Sequence, residues 1–388
     1  MQLTRQEHQA VVITSLIIAL RLLGIFLILP IFSTYAINYP GATLSLAGIA
    51  FGTYALAQSL LQIPFGWASD RFGRKPILLI GLFLLGIGSI ICGMAENINQ
   101  LILARILQGS GAVSAVAMAA LGDQTRPQVR AQAFTITGIA IGIAFILGLL
   151  GGPLLAAHFG FGSLFYILAA LSIVAMLLTG FFFSEIRMEN PEENNPRFAQ
   201  LIRYVEVRGL YLSTFVISFG LNMFLFTYPL SWTQTGLHQS ELWKVYLIIL
   251  VPSALFVFPY VRRAEKNGKL KTPTVAAWFF LALSFLAYVV FGIQKCMLYA
   301  TGIAFFLGHT LFQSLLPAFL TQRVSSENRG AATGFYNLAG FVGSALGGIL
   351  AGVFYDYNHK LPLAVSLVFI VVWGFIGLPN PPDPDSIN

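Results

Sequence analysis

Long apolar stretches, separated by short polar ones, run through the whole of this 388-residue chain. A helix that crosses the hydrocarbon core of a bilayer needs about 20 apolar residues. Uncharged runs of that order recur, and those at 22–69 and 131–184 are each long enough for two helices. The pattern predicts an all-α membrane protein with twelve spans and short loops, at residues 12–36, 45–68, 76–95, 99–121, 131–157, 162–184, 209–233, 242–262, 273–293, 297–321, 330–355 and 361–379.

The two halves of the chain repeat one another. A shift of 199 residues aligns the segment at 121–134 with the segment at 320–333, and both place an arginine at a predicted helix start. The same shift superimposes Pro30 on Pro229, Arg130 on Arg329 and Gly148 on Gly347. The sequence therefore predicts an N-terminal half at 1–184 and a C-terminal half with a short tail at 209–388.

A polar, acid-rich segment at 185–208 joins the halves. The pair Asn195-Pro196 is typical of a helix start, because proline is tolerated at the first helical position. One apolar stripe follows, made of Phe198, Leu201, Ile202 and Val205. The stripe indicates a short helix along the cytoplasmic interface, and a plain soluble linker is an equally good interpretation.

Composition supports the membrane assignment. Charged residues make up 10% of the chain, against about 25% in an ordinary soluble domain, and the mean hydropathy is +0.78. The two cysteines, Cys92 and Cys296, lie in or beside apolar runs. That placement excludes a disulfide framework or a cysteine metal cluster. No spacing typical of a metal site, a phosphate-binding loop or a nucleophile elbow is found, so the sequence predicts neither an enzyme nor a cofactor.

The lysines and arginines fix a predicted orientation. With the N-terminus inside, 17 of the 22 fall on the cytoplasmic side, and only Lys244, Lys295 and Lys360 fall outside. Such a bias indicates that both termini are cytoplasmic. The net charge of +7 is explained by this bias, and nucleic-acid binding is the weaker interpretation of it.

A charged segment, GWASDRFGRK at 66–75, lies between the second and third predicted spans. The residues that fill the pattern G-x-x-x-D-R-x-G-R-K are Gly66, Asp70, Arg71, Gly73, Arg74 and Lys75. This pattern resembles the loop signature of major facilitator superfamily transporters. The resemblance implies two pseudo-symmetric six-helix bundles, alternating access and a substrate site at mid-membrane between the halves. It extends to Arg105, Gln108, Gly109 and Gly111 in span 4, which fill the superfamily's pattern R-x-x-Q-G-x-G. In span 5, Gly152-Pro153 resembles in part the motif of the drug:proton antiporter branch.

The resemblance also implies a gate. We expect 66–75 to form one tight turn, with Asp70 facing the N-terminus of span 11 near Gly330. Arg71 or Arg74 is expected to pair with Asp123 at the end of span 4, so that the cytoplasmic side is held closed. The alternative is that these charges serve only as a topology signal.

Two arginines, Arg21 in span 1 and Arg105 in span 4, fall inside predicted spans. A charge there costs about 2.5–3.5 kcal/mol on insertion scales, so each must have a partner or line water. Arg105 is interpreted either as a cationic site, tied in the family to proton coupling, or as a group that holds helix 1 through backbone carbonyls. Arg21 is interpreted either as an anion or polar-substrate anchor, or as a structural group capped by carbonyls or by Gln58 and Gln62.

All fifteen acidic residues map to loops, termini or helix ends, so no carboxylate is present at mid-span. His309 in span 10 is the candidate titrating group, because a histidine changes charge near neutral pH. A hydrogen-bonded packing residue is the alternative. The remaining candidate cavity residues are Gln108, Tyr54, Asn222, Gln313 and Asn337, with Phe26 and Trp278 as aromatic walls.

Glycine pairs spaced four apart, such as Gly48 and Gly52 or Gly148 and Gly152, recur in spans 2, 5 and 11. Small residues permit close helix contact in lipid. The resemblance places these spans at the seam between the halves, and packing within one half is the alternative.

The sequence therefore predicts a monomeric secondary transporter of a bacterial inner membrane. One hypothesis is proton-coupled efflux of small amphipathic compounds. The other is transport of an organic anion, such as a carboxylate metabolite or siderophore, in either direction, which would use the positive charge of Arg21 and Arg105.

Overall fold

The computed structural model describes residues 3–126, 128–183, 205–267, 269–324 and 329–378. These residues are overwhelmingly helical. The first half contains α1 (Arg5–Ile28), α2 (Phe32–Ala36), α3 (Leu44–Phe72), α4 (Arg74–Gly93), α5 (Ile98–Gly109), α6 (Ser114–Asp123), α7 (Arg130–Phe159) and α8 (Phe161–Phe182). The second half contains α9 (Val205–Gln234), α10 (Leu242–Lys266), α11 (Lys271–Phe291), α12 (Lys295–Arg323), α13 (Arg329–Tyr357) and α14 (Leu361–Gly377).

The predicted spans are recovered. Within the described residues, 11 helical stretches are long and apolar enough to cross a membrane, and Leu361–Gly377 is a shorter apolar helix at the place of the twelfth span. The prediction of an all-α membrane protein is confirmed. The helix predicted after Asn195-Pro196 lies outside the described residues.

Span 1 and span 4 are each interrupted. In span 1, a 3-10 turn at Leu29–Ile31 separates α1 from α2, because Pro30 has no backbone N–H to continue the helical ladder. In span 4, residues 110–113 separate α5 from α6. Gly109 lies against α3 so closely that a Cβ there would be 2.2 Å from the Tyr54 carbonyl oxygen. The break thus falls directly after a close approach of α5 to the backbone of α3.

The chain divides into two compact units, one formed by Met1–Ala42 and Thr53–Asn195 and the other by Thr43–Gly52 and Pro196–Asn388. In the first unit, α1 packs on α7 and α8, and α4 packs on α8 and α5. In the second, α9 packs on α13 and α11 packs on α12. The start of α3 belongs to the second unit because Gly48 meets Gly352 of α13, where a Cβ would lie 2.7 Å from the Gly352 Cα.

The glycines of α7 pack within their own unit. A Cβ on Gly148 would lie 2.4 Å from the Phe26 Cβ, and one on Gly152 would lie 2.0 Å from the Leu27 carbonyl oxygen. Both partners belong to α1. For these two glycines, the contacts agree with packing within one half of the chain, which was the alternative to a position at the seam.

The Glu7 side chain connects the start of α1 to the loop before α7 through hydrogen bonds. Its carboxylate accepts hydrogen bonds from the backbone N–H of Thr4 at 2.9 Å and from the backbone N–H of Arg126 at 3.0 Å. The Arg126 guanidinium adds Nε and Nη2 bonds at 2.8 and 2.9 Å. The hydrogen bond to this carboxylate raises the pKa of Arg126.

We expect Glu7→Gln to lower the midpoint of thermal unfolding, because an amide cannot accept all of these bonds and brings an N–H₂ group toward donors. The measurement is thermal unfolding of the detergent-solubilised protein. Glu96→Gln is the matched control, because Glu96 is exposed at the opposite end of the unit. Equal midpoints for the two variants would contradict the expectation.

Candidate functional site

The segment 66–75 is mostly helix rather than one tight turn, so that part of the prediction was wrong. Residues 66–72 complete the last two turns of α3, and Arg74 already begins α4. Gly73 alone makes the connection, with φ of +99°. A residue with a Cβ is strained at such an angle, so glycine is required here. A one-residue connection fixes the direction in which Arg74 leaves the backbone.

Arg74 is the centre of the inner junction, the cluster formed by Ser69, Asp70, Arg74 and Asp123. Its Nε donates to Asp123 Oδ2 at 2.9 Å and its Nη1 donates to Ser69 Oγ at 2.6 Å. Nη1 also forms an ion pair with Asp70. The contacts join the end of α3, the start of α4 and the end of α6. Of the two arginines considered from sequence, Arg74 is therefore the partner of Asp123.

The other residues of the segment have separate roles. The Arg71 guanidinium lies over the Trp67 ring at 5.6 Å and the Phe72 ring at 5.7 Å, within cation–π range. Nothing lies within 4 Å of a Cβ built on Gly66. Lys75 is the second residue of α4, and Gly330 is the second residue of α13 in the other unit. The expected contact between Asp70 and the start of that helix stays a prediction.

Arg105 is buried, with 1% of its surface exposed. Its Nη1 donates to Gln108 Oε1 at 2.5 Å, and Gln108 Nε2 donates to Ser89 Oγ at 2.9 Å. The guanidinium carbon lies 4.7 Å from the Tyr54 ring centroid and 5.2 Å from the Phe32 ring centroid. An amide chain and two aromatic faces thus stabilise this cation.

Arg21 is equally buried, with 2% of its surface exposed. It donates from Nη1 to Ser114 Oγ at 2.5 Å and from Nη2 to the Tyr54 hydroxyl at 3.2 Å. Gln58 meets Arg21 through Ser114, to which its Nε2 donates at 3.1 Å. Tyr54 therefore lies between the two buried arginines, with its hydroxyl on Arg21 and its ring on Arg105.

The candidate cavity residues of the second half form fewer contacts with one another than those around Arg21 and Arg105 do. His309 is buried in α12 and stacks on Phe305 at 5.6 Å, and one ring nitrogen lies 3.4 Å from Gln313 Nε2. Asn222 donates to the Ser218 carbonyl of its own helix. Asn337 is half-buried in α13. The structure brings His309 and Gln313 together. The Asn222 side chain is instead hydrogen-bonded to its own helix.

The two aromatic candidates both pack within their own units. Phe26 makes an edge-on contact with Phe145 at 5.0 Å. Trp278 donates from Nε1 to the Ile370 carbonyl at 2.8 Å, which joins α11 to α14. Trp278 thus has a structural hydrogen bond that its apolar surroundings in the sequence did not indicate.

Three serines were missed from sequence, namely Ser69, Ser89 and Ser114. Each supplies the hydroxyl that completes the surroundings of a buried arginine or of its partner amide. Ser114 carries the one signal that could have been used, because it closely follows the two glycines of span 4. Within the described residues, no group of three or more metal-ligating side chains is present.

Helices of this length and apolarity, arranged as two units, with cations buried on spans 1 and 4, fit a polytopic membrane transporter. The family model described as Major Facilitator Superfamily matches residues 14–348 and 210–388. The chain belongs to the Major Facilitator Superfamily, and it is a transporter of small molecules rather than an enzyme. The resemblance seen in residues 66–75 is confirmed.

The relatives of the chain agree with this assignment. The inner membrane transport protein YajR of Escherichia coli (strain K12) is 32% identical over 358 residues, which cover 90% of this chain and 78% of YajR. Multidrug resistance protein 2 of Bacillus subtilis (strain 168) is 25% identical over 370 residues, which cover 91% of this chain and 90% of that relative. A bacterial homolog of the human lysosomal transporter Spinster has a similar structure, with a TM-score of 0.73 at 15% identity over 96% of each chain. That last likeness concerns the fold.

Proposed function

We propose that this protein is a proton-coupled secondary exporter of a small organic solute. It works by alternating access in a bacterial inner membrane, with both termini in the cytoplasm. The observation that carries the proposal is the inner junction, in which Arg74 pairs with both Asp70 and Asp123. The relatives named as transport and multidrug resistance proteins support export of small solutes.

A gate that opens in every cycle must be held by contacts that are strong enough to close it and weak enough to break. A two-state gate needs a free-energy bias of a few kcal/mol. The carboxyl partners of Arg74 keep 55% and 23% of their side-chain surfaces exposed, for Asp70 and Asp123 respectively. Water screens ion pairs of this kind and limits their strength. Contacts of this strength suit a gate that must open again in every transport cycle.

Proton coupling needs a group that exchanges a proton during the cycle. Among the described residues, Glu7 is the one acidic side chain that is buried, and it lies at the inner end of α1 rather than at mid-span. We therefore assign the coupling role to His309, because a guanidinium such as that of Arg105 and an amide such as that of Gln108 do not release protons in the physiological range. The Nδ1 atom of His309 is buried without a hydrogen-bond partner in the described part of the chain, which leaves it able to take up a proton.

We expect solute-dependent proton movement when the protein is reconstituted into liposomes with an imposed pH gradient. The readout is a pH-sensitive dye inside the liposomes, and the probe solutes are ethidium, mandelate and a neutral analogue, mandelamide. At least one probe should move protons across the membrane, and should itself accumulate only while the pH gradient is present. Protein-free liposomes are the control.

Two results would contradict the proposal in different ways. Accumulation that ignores the pH gradient but follows an anion gradient would remove proton coupling and leave transport. Absence of any protein-dependent movement of all three probes and of protons would count against export of such solutes altogether.

A further inference from the structure

The break in span 4 and the buried Arg21 meet at one place in the first unit. Ser114 is the first residue of α6, and its hydroxyl accepts from Arg21 at 2.5 Å and from Gln58 at 3.1 Å. No side chain caps the start of α6. A helix N-terminus carries partial positive charge and free N–H groups, which attract anions. Two independent positive groups thus converge on the Ser114 hydroxyl.

Several buried polar atoms of Arg21 and of α3 have no hydrogen-bond partner within the described residues. They are Arg21 Nε, Gln58 Oε1 and both side-chain polar atoms of Gln62. Gln62 lies one helical turn after Gln58 on α3, so the two amides share a face. Each of these side chains is at least nine-tenths buried. Buried polar atoms are rarely left unpaired in proteins, so each of them requires an explanation.

The charges of the buried side chains around Ser114 indicate the charge that a ligand of this site would carry. Arg21 and Arg105 lie on either side of Tyr54, and both are almost completely buried. Arg21 donates to two neutral hydroxyls, those of Ser114 and Tyr54. A buried charge is costly unless an opposite charge or several hydrogen bonds compensate it. An anionic ligand would supply that compensation.

We propose that Arg21, Ser114, Gln58 and Gln62 form the recognition site for the carboxylate of a transported organic acid that also carries a hydroxyl or amino group. The carboxylate accepts from Arg21 Nε and the Gln62 amide. The hydroxyl or amino group donates to the unpaired Gln58 and Gln62 oxygens. This inference rests on the proposed function and names the substrate class of that transporter.

The donor and acceptor set favours a carboxylate over a phosphate. A guanidinium edge and an amide N–H₂ group match the planar carboxylate, as in other arginine–carboxylate contacts. The two glutamine oxygens are acceptors, so they need a donor on the ligand and disfavour further phosphate oxygens. Discontinuous helices of membrane transporters commonly provide such ligand contacts through their free ends.

The test is binding, measured as ligand-dependent thermal stabilisation of the full chain in detergent, with no gradient present. The probes are mandelate, lactate and citrate, with mandelamide as the neutral analogue and phenylacetate as the acid that lacks the hydroxyl. At least one hydroxy acid should raise the unfolding midpoint. For mandelate the expected order is mandelate above phenylacetate above mandelamide.

Variants then assign the effect to the site. Arg21→Gln should weaken the apparent affinity for the active hydroxy acid at least tenfold, about 1.4 kcal/mol, whereas Lys295→Gln removes an exposed charge and should leave it unchanged. Gln62→Glu keeps the side-chain shape and places a carboxylate one helical turn from Gln58, on the face of α3 that the proposed site uses. It should raise the midpoint without ligand and abolish the effect of the ligand, which keeps the proposal testable if Arg21→Gln does not fold.

The outcomes are separable from those of the proposed function. Stabilisation by none of the three hydroxy acids, equal stabilisation by mandelate and mandelamide, or an unchanged effect in both Arg21→Gln and Gln62→Glu would overturn the site and leave Arg21 as a structural group. Transport of ethidium, with no thermal stabilisation by any of the acids, would also overturn the site but would leave the proposed export function intact. Binding of the acid without any transport would support the site and count against the exporter.

Discussion

Replacement of Arg74 by alanine is expected to reduce the transport rate at least tenfold while the protein still inserts into the membrane. Arg74 is 8% exposed, and its side chain joins the start of α4 to the C-terminal ends of α3 and α6. Alanine would remove the ion pairs to Asp70 and Asp123 at once. If the inner junction holds the gate as proposed, the closed state would then lose population and transport would slow.

The magnitude follows from the number of charged contacts. A hydrogen bond to a charged group contributes about 1.5–3 kcal/mol, and each 1.4 kcal/mol is about tenfold in an equilibrium. Exposure of the carboxylates to water reduces the contribution of each ion pair. The predicted effect therefore needs the combined loss of the two ion pairs and of the hydrogen bond to Ser69, which together reach about 1.4 kcal/mol.

The measurement is flux of whichever probe solute moves in the liposome assay, normalised to the amount of inserted protein. Asp123→Asn should reproduce most of the loss, and the double variant Arg74→Ala with Asp123→Asn should lose little more, because the effects of residues in direct contact are not additive. Arg5→Ala is the control, since Arg5 is an exposed arginine near the N-terminus. Undiminished flux in both single variants would remove the gating role from the inner junction.

The sequence was sufficient to predict that an arginine of 66–75 pairs with Asp123, and insufficient to say which arginine. The choice depends on Gly73. Its φ of +99° ends α3 and begins α4 within a single residue. Arg71 therefore stays on α3 beside Trp67, and Arg74 starts the next helix and faces α6. A pattern of residue types does not contain that direction, because a loop of several residues would also satisfy it.

The spans themselves were predictable because twenty apolar residues admit few structures other than a helix in lipid. The interruptions within the spans were harder to predict. Hydropathy is the same for a continuous and an interrupted apolar segment, so the separation of α5 from α6 at 110–113 was not predicted. Ser114 was missed for the same reason. Its hydroxyl reaches Arg21 only because a new helix begins at that residue.

A second large effect is expected for Gly152→Ala, which should strongly reduce the yield of folded protein and lower its unfolding midpoint. A Cβ at this position would lie 2.0 Å from the Leu27 carbonyl oxygen and 2.9 Å from the Leu27 carbonyl carbon. Both atoms are backbone atoms of α1, so no side-chain rotation can relieve the clash. The two helices must move apart, and overpacking of this kind costs about 1–3 kcal/mol or more.

The same helix offers a matched control. Gly142 lies on α7 ten residues earlier and is exposed, and a Cβ added there would have nothing within 4 Å. Gly142→Ala should therefore be neutral or stabilising by up to about 1 kcal/mol, because alanine is the better helix former. The yield of monodisperse protein in detergent and its thermal midpoint are measured for both variants. If Gly152→Ala matched Gly142→Ala in both quantities, the close contact of α1 with α7 would not be a determinant of this fold.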